Sequence, residues 1–170
     1  MRELDRLIRT RRTHKAFASD PVPREELEEL LDLARWAPNH HLTNPWRFRV
    51  LGPEALARLK DAAGPAEAPK LERAPTLVAV SCVLSGDALQ DDEDLAATAC
   101  AAYIILLAAH DRGFASYWRT PAVLRTQAGR SALGLEPGER PVALVHLGRP
   151  VGERPPRERA PLDEVLRWLD

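Results

Sequence analysis

Apolar residues recur in three rhythms along this chain, and each rhythm predicts an element. Leu4, Leu7 and Ile8 fall at i, i+3, i+4 spacing, which predicts a short amphipathic helix over residues 2–10 that runs into the basic cluster Arg9, Arg11, Arg12. Leu27, Leu30, Leu31 and Ala34 repeat that spacing. With prolines ahead and glutamates in the first turn, they predict a helix over 24–36, stopped by Pro38. Strict alternation of Trp46, Phe48 and Val50 with Arg47 and Arg49 predicts a half-buried strand. The continuous apolar runs LVAVSCVL (77–84) and VALVHL (142–147) predict strands covered on both faces.

The intervening segments fill in the rest. Pro53 opens a helix over 54–63, and 64–75 reads as a loop with one helical turn. The acidic stretch 91–94 starts a long helix to 112, stopped by Gly113. Apolar residues surround it on every side, which predicts burial all round with part of its surface in a subunit interface. Residues 114–118 read as a short strand and 121–133 as a helix. A proline-rich tail follows, ending in a small helix whose Val165, Leu166 and Leu169 can be buried only by docking. The expected fold class is α+β, with helices flanking a mixed central sheet of about four or five strands. The expected division is a single domain over 1–150 and a C-terminal tail with a docking helix over 151–170.

Composition narrows the function. The 170 residues carry 24 Lys and Arg against 25 Asp and Glu, a net charge of -1, so no global field attracts nucleic acid or an anionic membrane. The longest apolar run, 95–109, is short of the ~20 residues that span a bilayer. The N-terminus MRELDRLIRTRR lacks the apolar stretch of a signal peptide. Cys82 and Cys100 sit apart in apolar runs, as core thiols of a reducing cytoplasm do, so the expected location is cytoplasmic. Only 5% of residues are aromatic, so an aromatic inside a polar motif carries extra information.

Several common site types are missing. No GxGxxG follows a strand, and there is no GxxxxGK[ST] and no GxSxG. His14, His40, His41, His110 and His146 form no HExxH or HxxxH pair, so no metal is expected. Three polar motifs remain. TRRTHKAF gathers Arg11, Arg12, Thr13 and Lys15, whose planar donors, ammonium and hydroxyl suit a phosphate, although a solvated basic turn has the same composition. APNHHLTNPW sets paired histidines between Trp36 and Trp46. SYWRTP puts Trp118, Arg119 and Thr120 at a strand end, where sheet proteins often bind ligands.

In this order the motifs resemble the nitroreductase family of FMN-dependent oxidoreductases, in particular its small, compact NAD(P)H nitroreductase type. The matching pieces are Arg11, Arg12, Thr13, His14, Lys15, Ala16, Phe17; Ala37, Pro38 and then Asn44, Pro45, Trp46, Arg47, Phe48; Trp118, Arg119, Thr120; and Leu147, Gly148, Arg149, Pro150. The resemblance implies an intertwined homodimer with FMN at the subunit interface and NADH or NADPH as co-substrate. Hydride would pass by a ping-pong mechanism to nitroaromatics, quinones or a related electron-poor acceptor. It also implies roles. Arg11, Arg12 and Thr13 would hold the FMN phosphate and ribityl end, and Lys15 the pyrimidine edge of the flavin. Trp36 and His40 would approach from the other subunit, with Trp36 standing where an arginine is usual. Trp118, Arg119 and Thr120 would lie along the ring, and Arg149 could close on the phosphate. No catalytic side chain is required, because the cofactor carries the chemistry. Segment 64–75 is shorter than its counterpart in larger members. With Trp36, it leaves open the alternative of a flavin-binding or regulatory module without efficient turnover.

Overall fold

Four strands carry the alternating and continuous apolar runs, and their pairing decides where every site residue lies. The computed structural model describes residues 1–155 and 157–169. Strands β1 (Trp46–Val50), β2 (Thr76–Val83), β3 (Ala115–Arg119) and β4 (Glu139–Gly148) form one sheet in the order β1-β2-β4-β3. All three pairings are antiparallel, so the expected mixed sheet is corrected on this point. The parallel contact is a single bridge from Thr13 to Ser116 on the β3 edge. The central strands β2 and β4 are those with continuous apolar runs, because each has a neighbour on both sides and layers on both faces.

Helices cover both faces. On one, α2 (Arg24–Ala34) and the long α5 (Ala88–Asp111) pack Leu27, Leu30, Ala101, Ile105 and Leu106 against Val78, Val80, Val145 and Leu147. On the other, α3 (Pro53–Ala63), α4 (Ala68–Leu71) and α6 (Gln127–Ala132) pack Leu59, Leu71 and Ala132 against Leu77, Ala79 and Leu144. The N-terminal α1 (Glu3–Thr10) lies on the outside and buries no residue completely.

Three expectations are modified. The helix expected over 121–133 is broken at Thr126, whose extended backbone separates a 3₁₀ turn (Ala122–Arg125) from α6 and whose hydroxyl caps Gly129 N–H. Gly129 permits the fold-back, since a Cβ there would lie 1.9 Å from the Val123 carbonyl oxygen. Helix α5 is long and apolar enough to cross a membrane, yet its inner face lies on the sheet. It is not buried all round in the single chain, because Ala96, Cys100 and Tyr103 form an exposed stripe at i, i+4, i+7. The tail forms only a 3₁₀ turn (Leu162–Glu164) in place of a docked helix, leaving Val165, Leu166, Trp168 and Leu169 exposed.

A buried ion pair ties three strands together. Arg49 on β1 donates to both carboxylate oxygens of Glu139 on β4, at 2.7 and 2.6 Å, and Ser81 on β2 adds its hydroxyl. Burial alone would raise the Glu139 pKa. The bonds from Arg49 and Ser81 outweigh it and hold the carboxyl below the usual range.

Candidate functional site

Helix α1 delivers the basic cluster to the edge of β3. Arg11 caps the helix, its N–H donating to Leu7 O, and its backbone is extended beyond that point. The following segment is sewn to the sheet. Thr13 bridges Ser116, His14 N–H donates to Ser116 O at 3.1 Å, and Ala18 N–H donates to Arg149 O at 3.0 Å. This seam leaves Ser116 Oγ and His14 Nδ1 buried without a partner among the described residues.

Beside the seam lies a cleft of about 440 Å³, lined by Arg11, Arg12, Thr13 and Lys15. Its other wall is the tail, with Arg154, Pro155, Arg157 and Arg159. Six cationic side chains therefore face one space, and no carboxylate is among its lining residues. Arg12 fastens the two walls, donating to Arg9 O, Arg11 O and, at 3.3 Å, Pro155 O of the tail. Burial lowers the Arg11 pKa; Tyr103 opposes this, while Arg12 and Arg159 add to it. His14 is pushed below its ordinary value by burial, then by Arg154, His110 and Arg11. His110 shifts the same way, through burial and then Arg11, Arg6 and Arg12. Both rings are neutral near pH 7, and His110 Nε2 lies 2.9 Å from Thr10 Oγ1. So many uncompensated cations suit a dianionic phosphate.

The second motif forms a separate corner. His40, His41 and Leu42 make a 3₁₀ turn, and His41 and Leu42 within it and Asn44 just after it adopt positive φ, a region costly for side-chain-bearing residues. Hydrogen bonds hold the turn. Asn39 Oδ1 accepts from Asn44 N–H, Thr43 Oγ1 donates to the buried Asp94, and His40 Nδ1 lies 2.6 Å from Glu93. His40 is exposed and stacked on His41. Trp36 is 74% exposed, which removes core packing as its role. Neither residue lines the cationic cleft.

The third motif splits across the sheet, since successive strand residues point to opposite faces. Trp118 packs against the α2 and α5 layer. Arg119 points the other way, with its side chain only 11% exposed, donating to Glu67 and to the Lys70 carbonyl while stacking near Tyr117. Its donors are committed to the short 64–75 segment, so in the single chain it is not part of the same surface as Trp118. Thr120 is exposed at the strand end and edges a different cleft. Arg149 lies over the Phe114 ring at 4.3 Å and does not line the Arg11 cleft. Sequence reasoning missed Arg154, Arg157 and Arg159. The available signal was three arginines in a short proline-rich tail, but Glu153 and Glu158 are interleaved with them and nothing placed that tail beside residue 11.

Fold and site together define an α+β protein that presents a phosphate-type cleft at the edge of an antiparallel sheet. The family model of the Nitroreductase family matches residues 8–149, and the chain belongs to that family. It is 27% identical to "Putative NAD(P)H nitroreductase YfhC" of Bacillus subtilis (strain 168), over 92% of this chain and 89% of that protein. The crystal structure of a nitroreductase-like family protein from Bacillus cereus superposes with a TM-score of 0.90 at 25% identity, covering 100% of this chain and 97% of the other. A structure from Desulfovibrio desulfuricans, described as a putative nitroreductase in complex with FMN, gives a TM-score of 0.85 at 24% identity. It covers 100% of this chain and 98% of that one.

Proposed function

We propose that this chain is an FMN-dependent oxidoreductase that draws on NADH or NADPH and reduces nitroaromatics, quinones or a related electron-poor acceptor by a ping-pong mechanism. The observation that carries the reading is the cleft of six cationic side chains with no lining carboxylate. Family membership and the FMN complex of a structural relative support the same reading. When bound, FMN supplies reversible two-electron chemistry, and the protein supplies orientation and field.

The residues present fit that group. Arg11, Arg12 and Thr13 hold the phosphate and ribityl end, and Arg154, Arg157 and Arg159 add charge from the tail. Lys15 would place a cation at the pyrimidine edge, where it would favour the reduced, anionic form of the group. Trp118 and Thr120 would flank the ring, Arg119 would position strand β3 through Glu67, and Arg149 would close on the phosphate. Trp36 and His40 serve the site of a second subunit in a cytoplasmic homodimer with FMN at its interface. The exposed stripe on α5, together with exposed Trp36 and Leu42, supports that assembly, since apolar surface of this extent is normally covered.

The test is purification followed by steady-state kinetics. A yellow dimer with about one FMN per chain that oxidises NADH or NADPH with a quinone or nitroaromatic is the expected result. A colourless protein that binds no added FMN would overturn the reading. Tight FMN binding without oxidation of either dinucleotide would instead establish the flavin-binding module.

A further inference from the structure

A second cleft, of about 530 Å³, opens at the C-terminal end of β3. Leu95, Leu124 and Val142 supply its apolar floor and Thr120 its edge, while Arg125, Arg130 and Arg140 stand around it. No carboxylate is among the lining residues. Arg130 is occupied, donating to the carbonyls of Glu139 and Glu136. The side chains of Arg125 and Arg140 make no hydrogen bond or ion pair among the described residues, and both residues are exposed. Three positive charges over an apolar floor match a ligand with a flat apolar body and an anionic substituent.

The cleft's position links it to the first one. Thr13 of the phosphate cleft bridges Ser116, and Thr120, the first residue past the end of β3, lies four residues further along the chain, about 13 Å if the extended rise continues. A ribityl chain and ring laid along β3 from the phosphate would therefore end near Thr120. We infer that Arg125 and Arg140 select a carboxylate-bearing aromatic electron acceptor, whose apolar body sits on Leu95, Leu124 and Val142. This inference rests on the proposed redox function and names the substrate class of that site. For a nitro acceptor, the first step is ArNO2 + NAD(P)H + H+ giving ArNO + NAD(P)+ + H2O. One N–O bond breaks, the dinucleotide is oxidised by two electrons, and the released oxygen leaves as water.

The experiment compares 4-nitrobenzoate with methyl 4-nitrobenzoate, and measures benzoate binding by calorimetry. The ester is the more electron-poor compound, so reactivity alone favours it. The holoenzyme is expected to show at least tenfold higher kcat/KM for the acid. In the double variant Arg125→Ala, Arg140→Ala, the acid-to-ester ratio should fall at least tenfold and benzoate binding should weaken by a similar factor. A preference for the ester in the wild type, or a ratio and benzoate affinity unmoved by the double variant, overturns the inference. A raised KM for NADH or NADPH at a constant acid-to-ester ratio also overturns it, because the arginines would then serve the dinucleotide phosphates. If the protein proves to hold no flavin, the proposed redox function fails. The calorimetric arm still decides whether an arginine-dependent aromatic anion site exists.

Discussion

His146 should make this fold sensitive to acid, and replacing it should remove much of that sensitivity. The ring lies on β4 opposite Leu77 and beside Tyr117, is fully buried, and has neither nitrogen partnered among the described residues. Burial, with lesser contributions from Arg119 and Arg73, lowers its pKa from 6.5 to about 3. The unfolded chain therefore takes up a proton near pH 6.5 that the folded chain refuses until about pH 3. Stability is fully present above pH 6.5 and is lost progressively as pH falls through that window. At about 1.4 kcal/mol per pH unit, the displacement amounts to about 5 kcal/mol, comparable with the whole stability of a modest domain. His146→Leu keeps a similar volume, removes two orphaned polar atoms and abolishes the titration. Urea unfolding of both proteins at equal flavin occupancy, at half-unit steps from pH 7.5 to 4, reads the effect. The difference in unfolding free energy should grow in favour of the variant as pH falls below 6.5. Parallel profiles would refute the reasoning, because they would mean that the folded protein protonates His146 as readily as the unfolded chain does.

Other perturbations address the fold and the cofactor cleft. Gly129→Ala drives a methyl into the Val123 carbonyl and should cost about 2–3 kcal/mol, seen as a lowered urea midpoint; an unchanged midpoint would mean that the Thr126 turn can move aside. Arg11→Ala should weaken FMN retention by one or more orders of magnitude while the chain stays folded, measured by fluorescence of released flavin; unchanged retention would remove Arg11 from the phosphate site. Lys15→Met should lower the flavin reduction potential by about 30–65 mV, the equivalent of one charge-assisted hydrogen bond, measured by dye-coupled titration. A larger loss in binding than in potential would move Lys15 from the ring to the phosphate.

The sheet was legible because its strands announce themselves by burial. WRFRV alternates since β1 is an edge strand with one half-exposed face, and LVAVSCV is continuous since β2 has neighbours on both sides. Strand β4 begins earlier than its apolar run suggests, because Glu139 is carried into the sheet by Arg49 and Ser81, a tertiary compensation that no local pattern reveals. The break at Thr126 was written in the cap residue and Gly129, but the apolar spacing of 121–133 masks it. At the site, Arg11, Arg12, Thr13 and Lys15 were legible as one motif and do line one cleft. Arg119 was not separable from Trp118 in sequence, although strand alternation sends the two to opposite faces, and its partner Glu67 lies in a segment with no periodicity. The tail arginines escaped for the same reason: a proline-rich tail has no repeat from which to place it.

The central claim is that the cleft beside Thr13 holds the phosphate of FMN, and the comparison of FMN with riboflavin tests it most directly. The two ligands share the ring and the ribityl chain and differ only in the phosphate. Titrating flavin-free protein with each, by quenching of flavin fluorescence at low ionic strength, should give an FMN affinity at least a hundredfold higher, with the gap narrowing as salt is added. Equal affinities for FMN and riboflavin, or a gap indifferent to salt, would contradict the account.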